Sequence, residues 1–135
     1  MLKILLYPLA LLYNLITFCR NKLYDWKIFK SYNPDNAVVC VGNLSVGGTG
    51  KTPHIEYCVR LCEQVDGLAI LSRGYKRKTK GFRLAGNQST ADSIGDEPFQ
   101  YYNKFKNISV AVDEKRARGI KKLNKKRDPK LILLD

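Results

Sequence analysis

The residue types most suited to chemistry fall in one run, Ser45-Val46-Gly47-Gly48-Thr49-Gly50-Lys51-Thr52. It matches the pattern G-x-x-x-x-G-K-[ST] at every defined position except the first, where Ser45 replaces glycine. Glycines at 47, 48 and 50 let successive backbone N–H groups curl around a phosphate at the positive end of a following helix. Lys51 then reaches the β- and γ-phosphates, and Thr52 supplies a hydroxyl to the Mg²⁺ that bridges them. A plain glycine turn needs neither the lysine nor the hydroxyl, so the run predicts a site for a nucleoside triphosphate.

Other candidates follow in chain order. Arg73-Gly74-Tyr75 stands directly after an apolar run, at the strand edge where open α/β sheets bind ligands. The basic loop Lys76, Arg77, Lys78, Lys80 and Arg83 either meets phosphate or is solvated surface. Gly95-Asp96-Glu97-Pro98 places two carboxylates at a helix start, where capping explains one of them as well as a general base or a hold on magnesium does. Arg116, close behind a strand end, either joins the solvated or headgroup-facing charges of its helix or reaches a transferring phosphoryl group. Asp135 follows four apolar residues, as the Mg²⁺ carboxylate of a second nucleotide-binding strand does, although any buried strand can end in aspartate. His54 reads as a first-turn surface residue. Cys19, Cys40, Cys58 and Cys62 form no C-x-x-C pair and have only His54 beside them, which leaves no zinc set; Cys58 and Cys62 read as buried free thiols.

The elements that must position these groups are legible as an alternation of short apolar runs and helical patterns. Strands are expected at Ala37–Val41, Gly67–Ser72, Ile108–Val112 and Leu131–Leu134. Helices are expected over Pro53–Cys62, with Ile55, Cys58, Val59 and Cys62 facing the sheet, and from Pro98 at its first position through Tyr102. A third spans Glu114–Lys125, with Ala117, Ile120 and Leu123 inward and Lys115, Arg116, Arg118, Lys121 and Lys122 outward. A polar loop fills Ala85–Ser93. The fold class is α/β: a P-loop NTPase-like, mostly parallel sheet flanked by helices.

The chain of 135 residues carries 24 Lys and Arg against 12 Asp and Glu, a formal charge of +12 that attracts phosphate, nucleic acid or an anionic bilayer. The stretch Leu2–Cys19 is nearly all apolar and sits at the lower edge of a membrane-spanning length. Lys3, Tyr7, Ala10, Asn14, Thr17 and Asn21 recur at helical spacing, which favours a helix lying in the interface, kinked slightly by Pro8. Arg20, Lys22, Lys27 and Lys30 alternate with Leu23, Tyr24, Trp26, Ile28 and Phe29, a mixture suited to anionic headgroups. Thr17-Phe18-Cys19 offers no signal-peptidase site. Two regions result: 1–33, a membrane-associated helix with a basic and aromatic segment, and 34–135, a nucleotide-binding domain. The apolar helix argues against a nucleic-acid partner.

Four blocks resemble the tetraacyldisaccharide 4'-kinases of lipid A biosynthesis: Val41 to Pro53, including the missing first glycine, then Leu71-Ser72-Arg73-Gly74-Tyr75, Gly95-Asp96-Glu97-Pro98 and Leu133-Leu134-Asp135. The resemblance implies transfer of the ATP γ-phosphate, with Mg²⁺, to the 4'-hydroxyl of a lipid A disaccharide precursor at the cytoplasmic face of the inner membrane. By the same resemblance, Asp96 helps take the proton of the attacking hydroxyl, Glu97 and Asp135 are magnesium-side carboxylates, and Arg73, Tyr75 and Arg116 are active-site contacts. The family pattern continues past Asp135 with a second aspartate, a Gly-Phe-Gln-His-like stretch and a partner histidine. The expectation is therefore a truncated domain with partial activity at most. Another membrane-associated P-loop ATPase and an inactive nucleotide-binding remnant are the alternatives.

Overall fold

The computed structural model describes residues 6–42 and 50–135 and forms two compact units, Met1–Asn33 and Pro34–Asp135. In the second unit five strands form one sheet: β1 (Ala37–Cys40), β2 (Leu68–Ser72), β3 (Arg83–Leu84), β4 (Ser109–Val112) and β5 (Leu131–Leu134). Their order is β1-β5-β2-β4-β3, parallel throughout except for β3 against β4. All five residues of β2 are buried, as are Ile132, Leu133 and Leu134 of β5, which is why these strands read as continuous apolar runs and not as alternating ones. Two-residue β3 has no periodicity to read and was not anticipated.

Register fixes what comes next. Leu134 of β5 lies opposite Cys40 of β1 and Leu71 of β2. The segments that leave these strands, Val41-Gly42, Arg73-Gly74 and Asp135, therefore emerge side by side on one edge of the sheet.

The helices of this unit are α2 (Lys51–Leu61), α3 (Ala91–Ile94), α4 (Asp96–Lys104) and α5 (Arg116–Arg127). Both α2 and α4 begin two residues earlier than Pro53 and Pro98 suggest, so each proline sits at the third position. No intrahelical bond is due to the N–H there, so proline costs nothing. On α2, Ile55 and Val59 are fully buried, whereas Cys58 and Cys62 are only partly buried beside the core, less than the sequence implied. The expected polar loop ends in α3, capped by Thr90, whose hydroxyl accepts from the Ser93 N–H at 3.3 Å. On α5, Ile120 and Leu123 are buried, but Ala117 is exposed and Gly119 takes the inward place. A Cβ on Gly119 would stand 2.8 Å from a Leu71 methyl, so glycine lets this helix lie close against β2.

In the first unit α1 runs Tyr7–Asp25, six residues beyond Cys19, and Pro8 falls in its first turn, where its missing N–H is tolerated. Lys22 in the last turn suits the helix dipole and pairs with Asp25 at 3.8 Å. No residue of α1 is buried. Lys3 and the rest of the first five residues lie outside the described residues.

A buried carboxylate ties α2 to α4. Glu56 is 7% exposed and accepts from Lys104 Nζ at 2.5 Å and Gln100 Nε2 at 2.9 Å, with Arg60 at 3.5 Å. The Lys104 hydrogen bond, with help from Gln100 and Arg60 and against the effect of burial, holds the Glu56 carboxyl below its ordinary value of 4.5. A lowered folded-state value gives stability that is present above pH 4.5 and is lost as pH falls through the folded value. Replacing Glu56→Gln should cost roughly 1–2 kcal/mol at pH 7 and flatten the acid limb of a melting-temperature profile between pH 6 and pH 3; an unchanged profile would show that the tie is idle.

Candidate functional site

At the carboxyl edge of β1, β5 and β2 a cleft of about 960 Å³ is lined by Gly42, Gly50, Lys51, Thr52, Ser72, Arg73, Tyr75, Lys76, Asp96, Glu97, Arg116 and Asp135, among others. Ser45, Val46, Gly47, Gly48 and Thr49 lie outside the described residues. The exit of their loop is described: Gly50 caps α2 in the left-handed region at φ 77°, a conformation natural to glycine, and Lys51 and Thr52 occupy the first two helical positions. The positive end of α2 thus opens onto the cleft.

Thr52 Oγ1 donates to Glu97 Oε1 at 2.7 Å, joining the starts of α2 and α4. Neither Asp96 nor Glu97 caps its helix. Gly95 holds the cap position with no side-chain cap bond, so the capping explanation fails and both carboxylates are left for other partners. Gly95 also fixes where they stand. Its φ is 96°, and a Cβ there would lie 3.0 Å from the Tyr75 carbonyl and 3.3 Å from Gly74. The Arg73-Gly74-Tyr75 turn and the Gly95-Asp96-Glu97 turn are in backbone contact, which nothing in the sequence signalled. Asp96 is exposed at the mouth, as are Arg73 and Tyr75.

Asp135 is 8% exposed. Burial, reinforced by the nearby charge of Glu97, raises its carboxyl above the ordinary 3.8, while Lys51, the Ser72 hydroxyl and Arg116 pull the other way. Its Oδ2 is buried with no hydrogen-bond partner. Arg116 does not face out with its neighbours on the helix: it is half-buried and donates through Nη2 to the Asp135 carbonyl at 2.6 Å. His54 is exposed, its Nδ1 3.2 Å from the Gly50 carbonyl.

Sequence reasoning missed a neighbouring ion-pair network. Asp113, fully buried after β4, takes Arg118 in a bidentate pair, Nε to Oδ2 at 2.9 Å and Nη2 to Oδ1 at 2.6 Å, and accepts from the Lys115 N–H at 2.9 Å. Burial alone would raise its carboxyl, but Arg118, the Lys115 amide and Arg77 hold it below the usual value. Arg77, with its side chain 2% exposed, donates to the Gly81 carbonyl at 2.7 Å and pairs with Glu114. Arg77 is therefore a buried strut of the 73–83 loop, joined through Glu114 to the partly exposed Arg118, and neither is left free for a ligand. The signal was faint, because Asp113 and Arg118 are five apart, a spacing that no helical rule pairs.

The arrangement suits a polyanion carried with a divalent cation. Lys51, Arg73, Lys76 and Arg116 supply positive charge, and a hydroxyl and two carboxylates from Thr52, Glu97 and Asp135 supply hard oxygen ligands of the kind Mg²⁺ prefers. The orphaned Asp135 Oδ2 is an observation in favour of that fit. Among the described residues no three His, Cys, Asp or Glu form a closed metal cage.

Comparison with known proteins places this site in context. A family model described as tetraacyldisaccharide-1-P 4'-kinase matches residues 2–135. The tetraacyldisaccharide 4'-kinase of Flavobacterium johnsoniae is 54% identical over all of this chain, and that of Bacteroides thetaiotaomicron 49% over 96% of it. The crystal structure of the "apo" form of LpxK from Aquifex aeolicus in complex with ATP superposes with a TM-score of 0.82 at 36% identity over 99% of this chain. The chain spans 40% and 35% of those two relatives and 44% of the solved one.

Asp135 generates a test with opposite signs for stability and binding. A folded-state value raised above 3.8 favours the folded chain below that pH, and the benefit is lost as pH rises through the raised value. At pH 7 the ionised group is a burden, so Asp135→Asn should stabilise the empty protein by on the order of 1 kcal/mol. The same variant should weaken Mg²⁺-dependent nucleotide binding. Melting curves at pH 4 and pH 7, with calorimetric titration of Mg–ADP, check both; destabilisation at pH 7 would contradict the reading.

Proposed function

The chain belongs to the tetraacyldisaccharide-1-P 4'-kinase family, and on that footing we propose that it forms the nucleotide-binding part of a lipid kinase. The proposed reaction moves the γ-phosphoryl group of ATP to the 4'-hydroxyl of an acylated disaccharide 1-phosphate. One observation carries the reading most directly: Lys51, Thr52, Glu97, Arg116 and Asp135, drawn from four separate elements, line a single cleft at the carboxyl edge of the sheet.

In this reading residues 45–50 and the start of α2 cradle the phosphates, with Lys51 at the β- and γ-positions. Mg²⁺ would be held by Thr52, Glu97 and Asp135 with the nucleotide, and would supply neutralisation of the phosphate charge. Asp96, exposed at the mouth, accepts the proton of the attacking hydroxyl as its oxygen bonds to phosphorus and ADP leaves. Arg116, anchored on the Asp135 carbonyl, and Arg73 stabilise the charge on the transferred group. Tyr75, exposed at the rim, meets the acceptor sugar.

The lipid substrate gives the first unit its part. Leu9, Leu11, Leu12, Leu15, Ile16 and Phe18 of α1 are each more than half exposed, and Arg20 and Lys22 stand over the rings of Tyr24 and Phe18. The Thr17 hydroxyl is satisfied within the helix by the Asn14 carbonyl at 2.9 Å, as an apolar setting demands. No described helix is long and apolar enough to cross a membrane. The exposed apolar side chains and the basic and aromatic end of α1 support a helix lying on the cytoplasmic face of the inner membrane.

The decisive assay is transfer of labelled phosphate from ATP to a lipid A disaccharide precursor in detergent, by the chain extended past Asp135 to its relatives' length. Lys51→Ala should lower the rate by roughly 10²–10³-fold. Nucleotide hydrolysis without transfer would favour another P-loop ATPase, and loss of both an inactive remnant. Separately, Leu11→Glu with Leu15→Glu should reduce co-sedimentation with phosphatidylglycerol vesicles by about tenfold or more; undiminished binding would remove the helix from the interface.

A further inference from the structure

Arg77 is charged, yet its side chain is 2% exposed and its Nη1 is buried with no hydrogen-bond partner. Burying a guanidinium with one nitrogen unsatisfied is costly, and methionine would occupy a similar space without that cost. What the arginine adds is an anchor. Its Nη2 donates to the Gly81 carbonyl at 2.7 Å and to Glu114 Oε1, and the Glu114 carboxylate accepts in turn from the Gly81 N–H at 3.1 Å. Arg118, paired with the buried Asp113, holds the other Glu114 oxygen at 3.1 Å.

The stem of Arg77 makes a second contact. A Cβ on Gly74 would stand 2.5 Å from Arg77 Cδ and 2.8 Å from Nε, so the side chain lies directly against the Gly74 backbone. The Arg77 N–H also bonds the Gly74 carbonyl at 3.3 Å. Gly74 abuts Gly95, the residue before Asp96 and Glu97, where a Cβ would lie 3.3 Å from Gly74 Cα. Contacts therefore run unbroken from the Asp113, Arg118 and Glu114 cluster through Arg77 to the turn that carries Arg73 and Tyr75, and on to the start of α4. The next part of the loop is fastened without Arg77, by the Lys78 N–H on the Asp92 carbonyl at 2.8 Å and the Thr79 hydroxyl on the Ser93 carbonyl at 2.6 Å.

We propose that Arg77 is a positioning residue of the cleft: packed against Gly74 and anchored on Glu114, it holds the Arg73-Gly74-Tyr75 turn against the Gly95 turn and so fixes where Arg73 and Tyr75 stand relative to Asp96. What Arg73 and Tyr75 do there rests on the kinase reading given above; what Arg77 holds does not. A displacement of about 1 Å in a group that orients reactants can cost on the order of 10²-fold in rate, so a buried anchor at the rim has a use that its local packing does not explain.

Two measurements test the proposal. In the 135-residue chain, Arg77→Met should speed amide hydrogen exchange at residues 74–77 by about tenfold while α5 stays level; unchanged exchange at that turn overturns the role. In the chain extended to its relatives' length, Arg77→Met should lower kcat for transfer by about tenfold or more and leave KM for Mg–ATP within about twofold. Arg77→Lys should recover only part of the loss, because an ammonium lacks the planar fork that lies on Gly74 and bonds Gly81 and Glu114. Added to Arg73→Ala with Tyr75→Ala, Arg77→Met should cost less than about twofold more, since the groups it positions are gone. A full further loss in that background marks Arg77 as a strut for stability alone and overturns the proposal. An extended wild type that transfers no phosphate overturns the kinase reading instead, and the exchange measurement then decides by itself what Arg77 holds.

Discussion

The in-register alignment of β1, β5 and β2 is the constraint on which the rest of the molecule depends. Because Leu134 is paired on both sides, with Cys40 and with Leu71, the three strands end at one level. The Asp135 N–H is bound to the Leu71 carbonyl at 3.2 Å and the Val41 N–H to the Leu134 carbonyl at 3.0 Å. A slip of one residue in β5 would turn its apolar side chains to the other face and move Asp135 away from Thr52. The buried charge that defines the cleft is thus delivered by backbone hydrogen bonds, and its desolvation is a consequence of being at the end of a central strand.

Two ties between α2 and α4 divide the work on that scaffold. Thr52 and Glu56 are one turn apart on α2, and each reaches across to α4: Thr52 to Glu97 at its start, Glu56 to Gln100 and Lys104 further along. The inner tie is neutralised by Lys104 and Arg60 and holds the helices together. The outer one is a hydroxyl and a carboxylate at the cleft, within the field of a second carboxylate, Asp135, that burial leaves reluctant to ionise. Stability is placed one turn behind the site, where it does not compete with ligand binding.

Much of this was legible in the chain. The four main strands are short apolar runs bounded by turns, and the glycine, lysine and threonine run announced the helix that follows it. What stayed hidden involved contacts without local periodicity. Gly119 packs inward in place of Ala117 because a close approach to Leu71 admits no side chain, a fact of the neighbouring strand and not of the helix. Arg77 and Arg118 look like solvated cations until the fold brings Glu114 and Asp113 to them. Gly95 reads as punctuation, and its contact with Gly74 and Tyr75 appears only when two loops twenty residues apart meet. Charge and composition tell that cations abound; only the fold says which are spent.

That distinction bears on what the cleft can hold. Arg77, Lys78, Lys104 and Arg118 are committed to carboxylates away from the strand edge. The cleft itself presents four cations, Lys51, Arg73, Lys76 and Arg116, beside three carboxylates, Asp96, Glu97 and Asp135. A bare polyphosphate would gain from the first set and be repelled by the second. A metal alone would face the reverse. Only a polyphosphate carrying a hard divalent cation satisfies both, with phosphate oxygens toward the lysine and arginines and the cation toward Glu97 and Asp135. On the reading proposed above, the mixture of signs, which would be wasteful in a general anion-binding surface, would favour a metal–nucleotide complex over either component.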